Sequence, residues 1–184
     1  MYSSRSIFQF VNDLHSWLKS HGHEKLALLA EKYAVTSLRK TTLVLPGPTG
    51  ERNTLAFASR GRIFCAANSF NVFLNQLAAV LATENIPVLS TNTLALIPPS
   101  LPDSIKRIIL SAEGNSIDSQ VALIESTLLA SLRPVIAAQE DCIISVIETR
   151  DNELVPLWRL LAERAVSVNT TAAGGNASLM TLAD

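Results

Sequence analysis

Apolar residues Ile7, Phe8, Phe10, Val11, Leu14, Trp17 and Leu18 recur at i, i+3, i+4 and i+7. That period predicts a helix over 7–18 with one buried stripe, and Gly22 follows as its stop. A second helix is predicted from His23 to Val35, with Leu26, Leu29, Ala30 and Tyr33 on one face. Two amphipathic helices joined by a short link form a hairpin. The pattern then changes. Thr41 to Leu45 reads as a short strand, and Pro46 to Asn53, with two prolines and two glycines in five positions, as a loop. Thr54 to Ala58 and Arg62 to Ala66 read as strands, Asn71 to Ala82 as a strongly apolar helix, and Ile86 to Leu89 as a strand.

Strand, helix and strand in that order predict a parallel crossover, hence an α/β fold. Further on, Ser104 to Leu110 fits either a helix end or a strand, and Val121 to Ile124 is a strand. Thr127 to Ala138 is a helix that Pro134 should kink or shorten, and Ile143 to Ile147 is a β-branched strand. Val155 to Arg164 is predicted as a helix with Pro156 in its first turn, and Ala165 to Thr170 as a final strand or extended arm.

The length of 184 residues fits one domain, or one domain with an appendage. Charged residues make up only 17%, against about 25% in an average domain, while apolar ones reach 48%. A chain this poor in charge is expected to hide part of its surface against a sister subunit or a further domain. The 15 basic and 16 acidic residues leave a net charge of −1 with no basic block, and aromatics are 5%. These features argue against a nucleic-acid partner. There is no apolar run of the roughly 18 residues a membrane span needs, and no signal-peptide core near the start. Cys65 and Cys142 sit in apolar runs and read as buried, reduced thiols, which points to a cytoplasmic setting.

Candidate chemistry is sparse. Gly47-Pro48-Thr49-Gly50 matches neither phosphate-loop pattern, and Pro48 lacks an N–H, so a plain turn is expected. His15, His21 and His23 do not make up a zinc ligand set. No GxSxG occurs, no residue beside either cysteine would lower its pKa, and Glu140-Asp141 reads as a solvated turn. No catalytic, cofactor-binding or metal-binding residue is therefore assigned. The C-terminal stretch differs. Ser167, Val168, Asn169, Thr170, Thr171, Ala172, Ala173, Gly174, Gly175, Asn176, Ala177, Ser178, Leu179 and Met180 combine small side chains, amides and hydroxyls with a terminal apolar pair. Small residues let backbones approach closely, and ordering them alone in water would cost roughly 1–2 kcal/mol each. This segment is expected to be an interface that docks on a partner.

Leu45 to Cys65 (LPGPTGERNTLAFASRGRIFC), Asn75 to Ala82 (NQLAAVLA) and Glu163 to Thr181 (ERAVSVNTTAAGGNASLMT) resemble the C-terminal part of the proline utilization A family. The resemblance implies a Rossmann-like parallel sheet of the aldehyde dehydrogenase superfamily type, with a β-flap. With the helix pattern read above taken into account, the chain is expected to comprise a helical hairpin (1–40), the α/β domain (41–164) and the flap with its docking tail (165–184). The resemblance also implies a non-catalytic role. The tail would dock on the aldehyde dehydrogenase domain of the same polypeptide, covering the cavity through which an intermediate passes, with FAD and NAD held by other domains. Working dehydrogenases of this type have a lysine after the strand matching Ile86 to Leu89, and a glycine and serine after the strand matching Val121 to Ile124. Leu89-Ser90-Thr91 and Glu125-Ser126 stand at those places, so no NAD binding is expected. An independent NAD-binding enzyme and a self-associating oligomerisation domain are the alternatives.

Overall fold

The structure is a computed structural model that describes residues 7–112, 114, 117–140 and 143–169. The first apolar stripe forms α1 (Ile7–Ser20). Gly22, at φ +77°, takes the left-handed turn that lets α2 (Glu24–Thr36) fold back along it. Then come β1 (Thr42–Leu45), β2 (Glu51–Ser59), β3 (Arg62–Ala66), α3 (Phe70–Ala82) and β4 (Ile86–Leu89). Two single-turn helices follow, α4 (Thr91–Leu94) and α5 (Asp103–Lys106). The remaining elements are β5 (Leu110–Ser111), β6 (Val121–Glu125), a 3-10 turn at Ser126–Leu128, α6 (Leu129–Ala137), β7 (Ser145–Thr149), a 3-10 turn at Leu157–Leu160, and β8 (Leu161–Asn169).

The chain divides into two compact units, each built from separated stretches. Among the described residues the first takes in 7–39 and 59–162, and the second 40–58 and 163–169. The division is thus not the linear one into 1–40, 41–164 and 165–184. The hairpin belongs with the parallel sheet because α2 packs on α3, and β1 and β2 belong with the end of the chain because β8 pairs beside β2.

In the first unit five parallel strands lie in the order β5-β4-β3-β6-β7. Counted from β3, that is third, second, first, fourth, fifth: the doubly wound Rossmann order expected from the resemblance, with its switch point between β3 and β6. Side chains alternate across the sheet as a two-residue period requires. Ile63, Cys65, Val121, Leu123 and Ile147 face the core shared with α1, α2 and α3. Phe64, Ala66, Ala122 and Ile124 face a smaller core closed by Ile136 of α6.

Polar side chains on the hairpin side clip the elements together. Tyr33 Oη donates to Asn75 Oδ1 at 2.8 Å and accepts from Val155 N at 2.7 Å. Asn75 Nδ2 donates to Glu153 O at 2.7 Å. Burial pushes the Tyr33 phenol up from 10 to about 12, outweighing a smaller downward pull from the Val155 N–H. A raised folded-state pKa favours the neutral phenol, so its stabilisation is complete below pH 10 and lost as pH climbs through about 12. Denaturant unfolding in that window should show wild type losing roughly 2 kcal/mol more than Tyr33→Phe. Equal losses would remove Tyr33 as the source.

Several sequence expectations shift. The helix predicted over Val155 to Arg164 is replaced by the 3-10 turn and by β8, which also absorbs the predicted arm from Ala165. Leu161, Ala162, Glu163 and Arg164 are good helix formers, yet a place beside β2 overrides that preference. β7 starts two residues later than predicted, leaving Ile143 97% exposed, because pairing with β6 sets the register from Val121↔Ser145 to Glu125↔Thr149. The loop predicted at Pro46 to Asn53 is shorter. Gly50 at φ +89° turns the chain, and β2 already begins at Glu51. Ser104 to Leu110 resolves into the end of α5, a turn and the start of β5. Pro134 sits within α6, which the Ser126–Leu128 turn leads into. Among the described residues no helix is long and apolar enough to cross a membrane.

Candidate functional site

At a switch point the loops leaving adjacent strands diverge, which opens a crevice at the carboxyl ends of the strands. Here that crevice lies where β3 and β6 end. Odd-numbered β6 residues face α3, so Glu125, the last of them, projects toward the start of that helix. The residue is 8% exposed, and its Oε2 accepts from Asn68 N at 2.6 Å and Ser69 N at 2.9 Å. Those two amides lead directly into α3, whose N-terminal end carries partial positive charge. Phosphate groups are commonly held by such a combination of free amides and helix dipole. Sequence reasoning singled out Glu125 as a departure from the dehydrogenase pattern. The structure adds that its carboxyl group is held by two backbone amides.

The surrounding loops are tied in place. Thr93 Oγ1 accepts from Ala67 N at 2.8 Å and donates to Ala67 O at 3.1 Å, joining the turn after β4 to the loop after β3. Ser90, in the segment singled out after β4, caps α4 by accepting from Thr93 N, and its own N–H donates to Cys65 O at 3.0 Å. Gln76, fully buried on α3, donates through Nε2 to Ala66 O, Leu123 O and Thr149 Oγ1 at 3.1, 3.3 and 2.8 Å. One side chain thereby ties the ends of β3 and β7 to the middle of β6. Sequence reasoning missed Gln76, because a polar residue within an apolar helix reads as an exposed one until the sheet is assembled around it.

Other candidates offer little chemistry. Burial pushes the Cys65 thiol far above its ordinary pKa, which disfavours a reactive thiolate. Cys142 lies outside the described residues. His21 and His23 stack on Trp17 with centroids 4.6 and 5.8 Å apart, and His15 faces Glu31 at 3.9 Å across the hairpin. Among the described residues no group of three His, Cys, Asp or Glu side chains could hold a metal ion. Gly47 to Gly50 lie in the turn between β1 and β2.

The second unit is a three-stranded sheet in the order β1-β2-β8. β1 and β2 are antiparallel, in register from Thr42↔Ala56 to Leu45↔Asn53. Its outer strands expose apolar side chains: Leu43, Val44 and Leu45 on β1, and Val166 and Val168 on β8, with Val44 at 71% and Val168 at 49%. Of the predicted interface, Ser167, Val168 and Asn169 form the end of β8. Thr170 to Met180 lie outside the described residues.

No family model matches the chain. It is 36% identical over 184 residues to the bifunctional protein PutA of Escherichia coli strain K12, a match that covers 96% of the chain. The chain is a PutA-related domain. It spans 14% of that relative's length. A crystal structure of bifunctional proline utilization A matches the domain with a TM-score of 0.51 at 18% identity, over 77% of this chain and 19% of that one. A NAD-dependent benzaldehyde dehydrogenase from Corynebacterium glutamicum matches with a TM-score of 0.56 at 11% identity, over 78% and 41%. At these identities the likeness of the PutA-related domain to both structures concerns the fold alone.

Proposed function

We propose that this domain is a non-catalytic module of a PutA-type enzyme that converts proline to glutamate. It docks through its β1-β2-β8 sheet and the segment Ser167 to Met180 on the aldehyde dehydrogenase domain of the same cytoplasmic polypeptide. There it covers the cavity through which the aldehyde intermediate passes. The observation that carries this reading is the exposure of Leu43, Val44, Leu45, Val166 and Val168 on the two outer strands of one small sheet. Apolar side chains gathered on outer strands favour association, and β-augmentation is one established mode.

The non-catalytic part of the reading is supported by Glu125. The residues do not suit a dinucleotide, because a carboxylate already holds the amides of Asn68 and Ser69 and would repel a pyrophosphate. FAD and NAD belong, on this reading, to other domains of the enzyme.

Deleting the domain from the full-length polypeptide tests the role. Aldehyde should then appear in bulk solution, and NADH formation from proline should lag. Unchanged coupling would refute the covering role. Calorimetric heat from NAD added to the isolated chain would favour the independent enzyme. Self-association in sedimentation, abolished by truncation after Val166, would favour an oligomerisation domain.

A further inference from the structure

We propose that the outer face of α2 and the groove beside it, walled by Leu154 and Trp158, form a second docking surface, and that its occupant is an apolar segment of the PutA-type polypeptide outside this domain. The inference rests on the reading that the domain works within such a polypeptide. It does not depend on the β1-β2-β8 sheet, because every residue involved belongs to the first unit.

The two helices of the hairpin differ in what they show to solvent. α1 is exposed at Gln9, Asn12, Ser16 and Lys19, the polar outer face of an ordinary amphipathic helix. α2 is exposed at Leu28, Lys32 and Val35, which follow one another at i, i+4 and i+7, and Val35 is 80% exposed. Lys32 also borders a groove of about 290 Å³. Its buried lining is Tyr33, Val155 and Leu157, while Leu38, Leu154 and Trp158 stand exposed around it. Trp158 is 66% exposed on a single 3-10 turn. Tryptophan is enriched among the residues that anchor protein interfaces.

The groove selects for an apolar guest. Tyr33 Oη accepts from Val155 N at 2.7 Å and donates to Asn75 Oδ1, so these polar atoms beneath it are already used. Lys32 and Thr36 supply polar groups at the rim, and an apolar centre inside a polar rim is the anatomy of a protein interface. The volume falls at the lower limit of small-molecule pockets, roughly 300–1,000 Å³, and suits an inserted side chain.

Two facts favour a tethered partner over a second copy. Leu28, Val35, Leu38, Leu154 and Trp158 together expose on the order of 600 Å², short of the roughly 800 Å² per partner of a standard stable complex. A partner in the same polypeptide needs less, since linkage supplies an effective concentration of about millimolar. The chain spans 14% of the length of the Escherichia coli PutA protein, so most of a polypeptide of that kind lies outside this domain.

Hydroxyl-radical footprinting read by mass spectrometry tests the proposal on the isolated chain and on the full-length polypeptide. Trp158, Leu28 and Val35 should label readily in the isolated chain and about fivefold or more slowly in the full-length polypeptide. Ile143, 97% exposed in the same unit, should label alike in both. Val44 and Val168, read in the same spectra, report on the β1-β2-β8 sheet separately. Their protection without that of Trp158 would leave the docking sheet standing and remove this surface, and the reverse pattern would remove the docking sheet alone. Equal labelling of Trp158 in the two forms, or protection that extends equally to Ile143, would overturn the proposal. So would protection already present in the isolated chain and growing with its concentration, which would identify a second copy as the occupant.

Discussion

In the full-length polypeptide, Val44→Glu combined with Val168→Glu is expected to lower the coupled rate from proline to glutamate by about tenfold or more, with free aldehyde released to solvent. Both side chains are exposed on the outer strands of the β1-β2-β8 sheet. On the docking reading both become buried against the dehydrogenase domain, where an unpaired carboxylate costs several kcal/mol. In the isolated chain the same substitutions should shift stability by no more than about 0.5 kcal/mol, since surface changes usually do little. This contrast separates a docking defect from misfolding. Ile143→Glu, at a position 97% exposed in the first unit, serves as the control and should leave coupling intact. A double variant that couples normally would show that these strands are not the docking surface.

Gln76→Leu should destabilise the isolated chain by roughly 3 kcal/mol and lower Tm by about 6–12 °C. The substitution keeps the volume but removes the donor that serves Ala66 O, Leu123 O and Thr149 Oγ1. Those acceptors lie where water cannot easily replace the amide. One effect works the other way: Gln76 Oε1 is itself buried without a partner, so its removal relieves a cost. The net loss is therefore set below the sum of the separate bonds. Because Gln76 ties the end of β3 to the middle of β6, the Glu125 contacts with Asn68 N and Ser69 N should loosen as well, with faster amide exchange at both residues. A change within about 0.5 kcal/mol would mean that the tied strands do not depend on this side chain.

Local signals in the sequence went a long way. The period of Ile7 to Leu18 marked α1, the break at Gly22 marked the hairpin, and the β-branched and apolar runs located β3, β4 and β6. These stretches are legible because each has one buried face, and burial imposes a period on the chain. The motifs at Leu45 to Cys65 and Glu163 to Thr181 also placed the chain in its family. The identity of 36% to a PutA protein agrees.

What sequence could not decide lies where distant segments meet. Leu161 to Arg164 prefer a helix on their own, and only the strand β2 beside them makes β8. The start of β7 is set by its ladder with β6, which local preference does not encode. Gln76 reads as an ordinary polar residue, and Glu125 only as a departure from the dehydrogenase pattern, until β6 comes to lie beside β3. Short-range pattern thus determined the elements and the family, because it records which face of each element is buried. Tertiary structure alone decided the final strand, the gathering role of Gln76 and the carboxylate seated on Asn68 and Ser69, because hydrogen bonds between remote residues depend on positions in space that no local period contains.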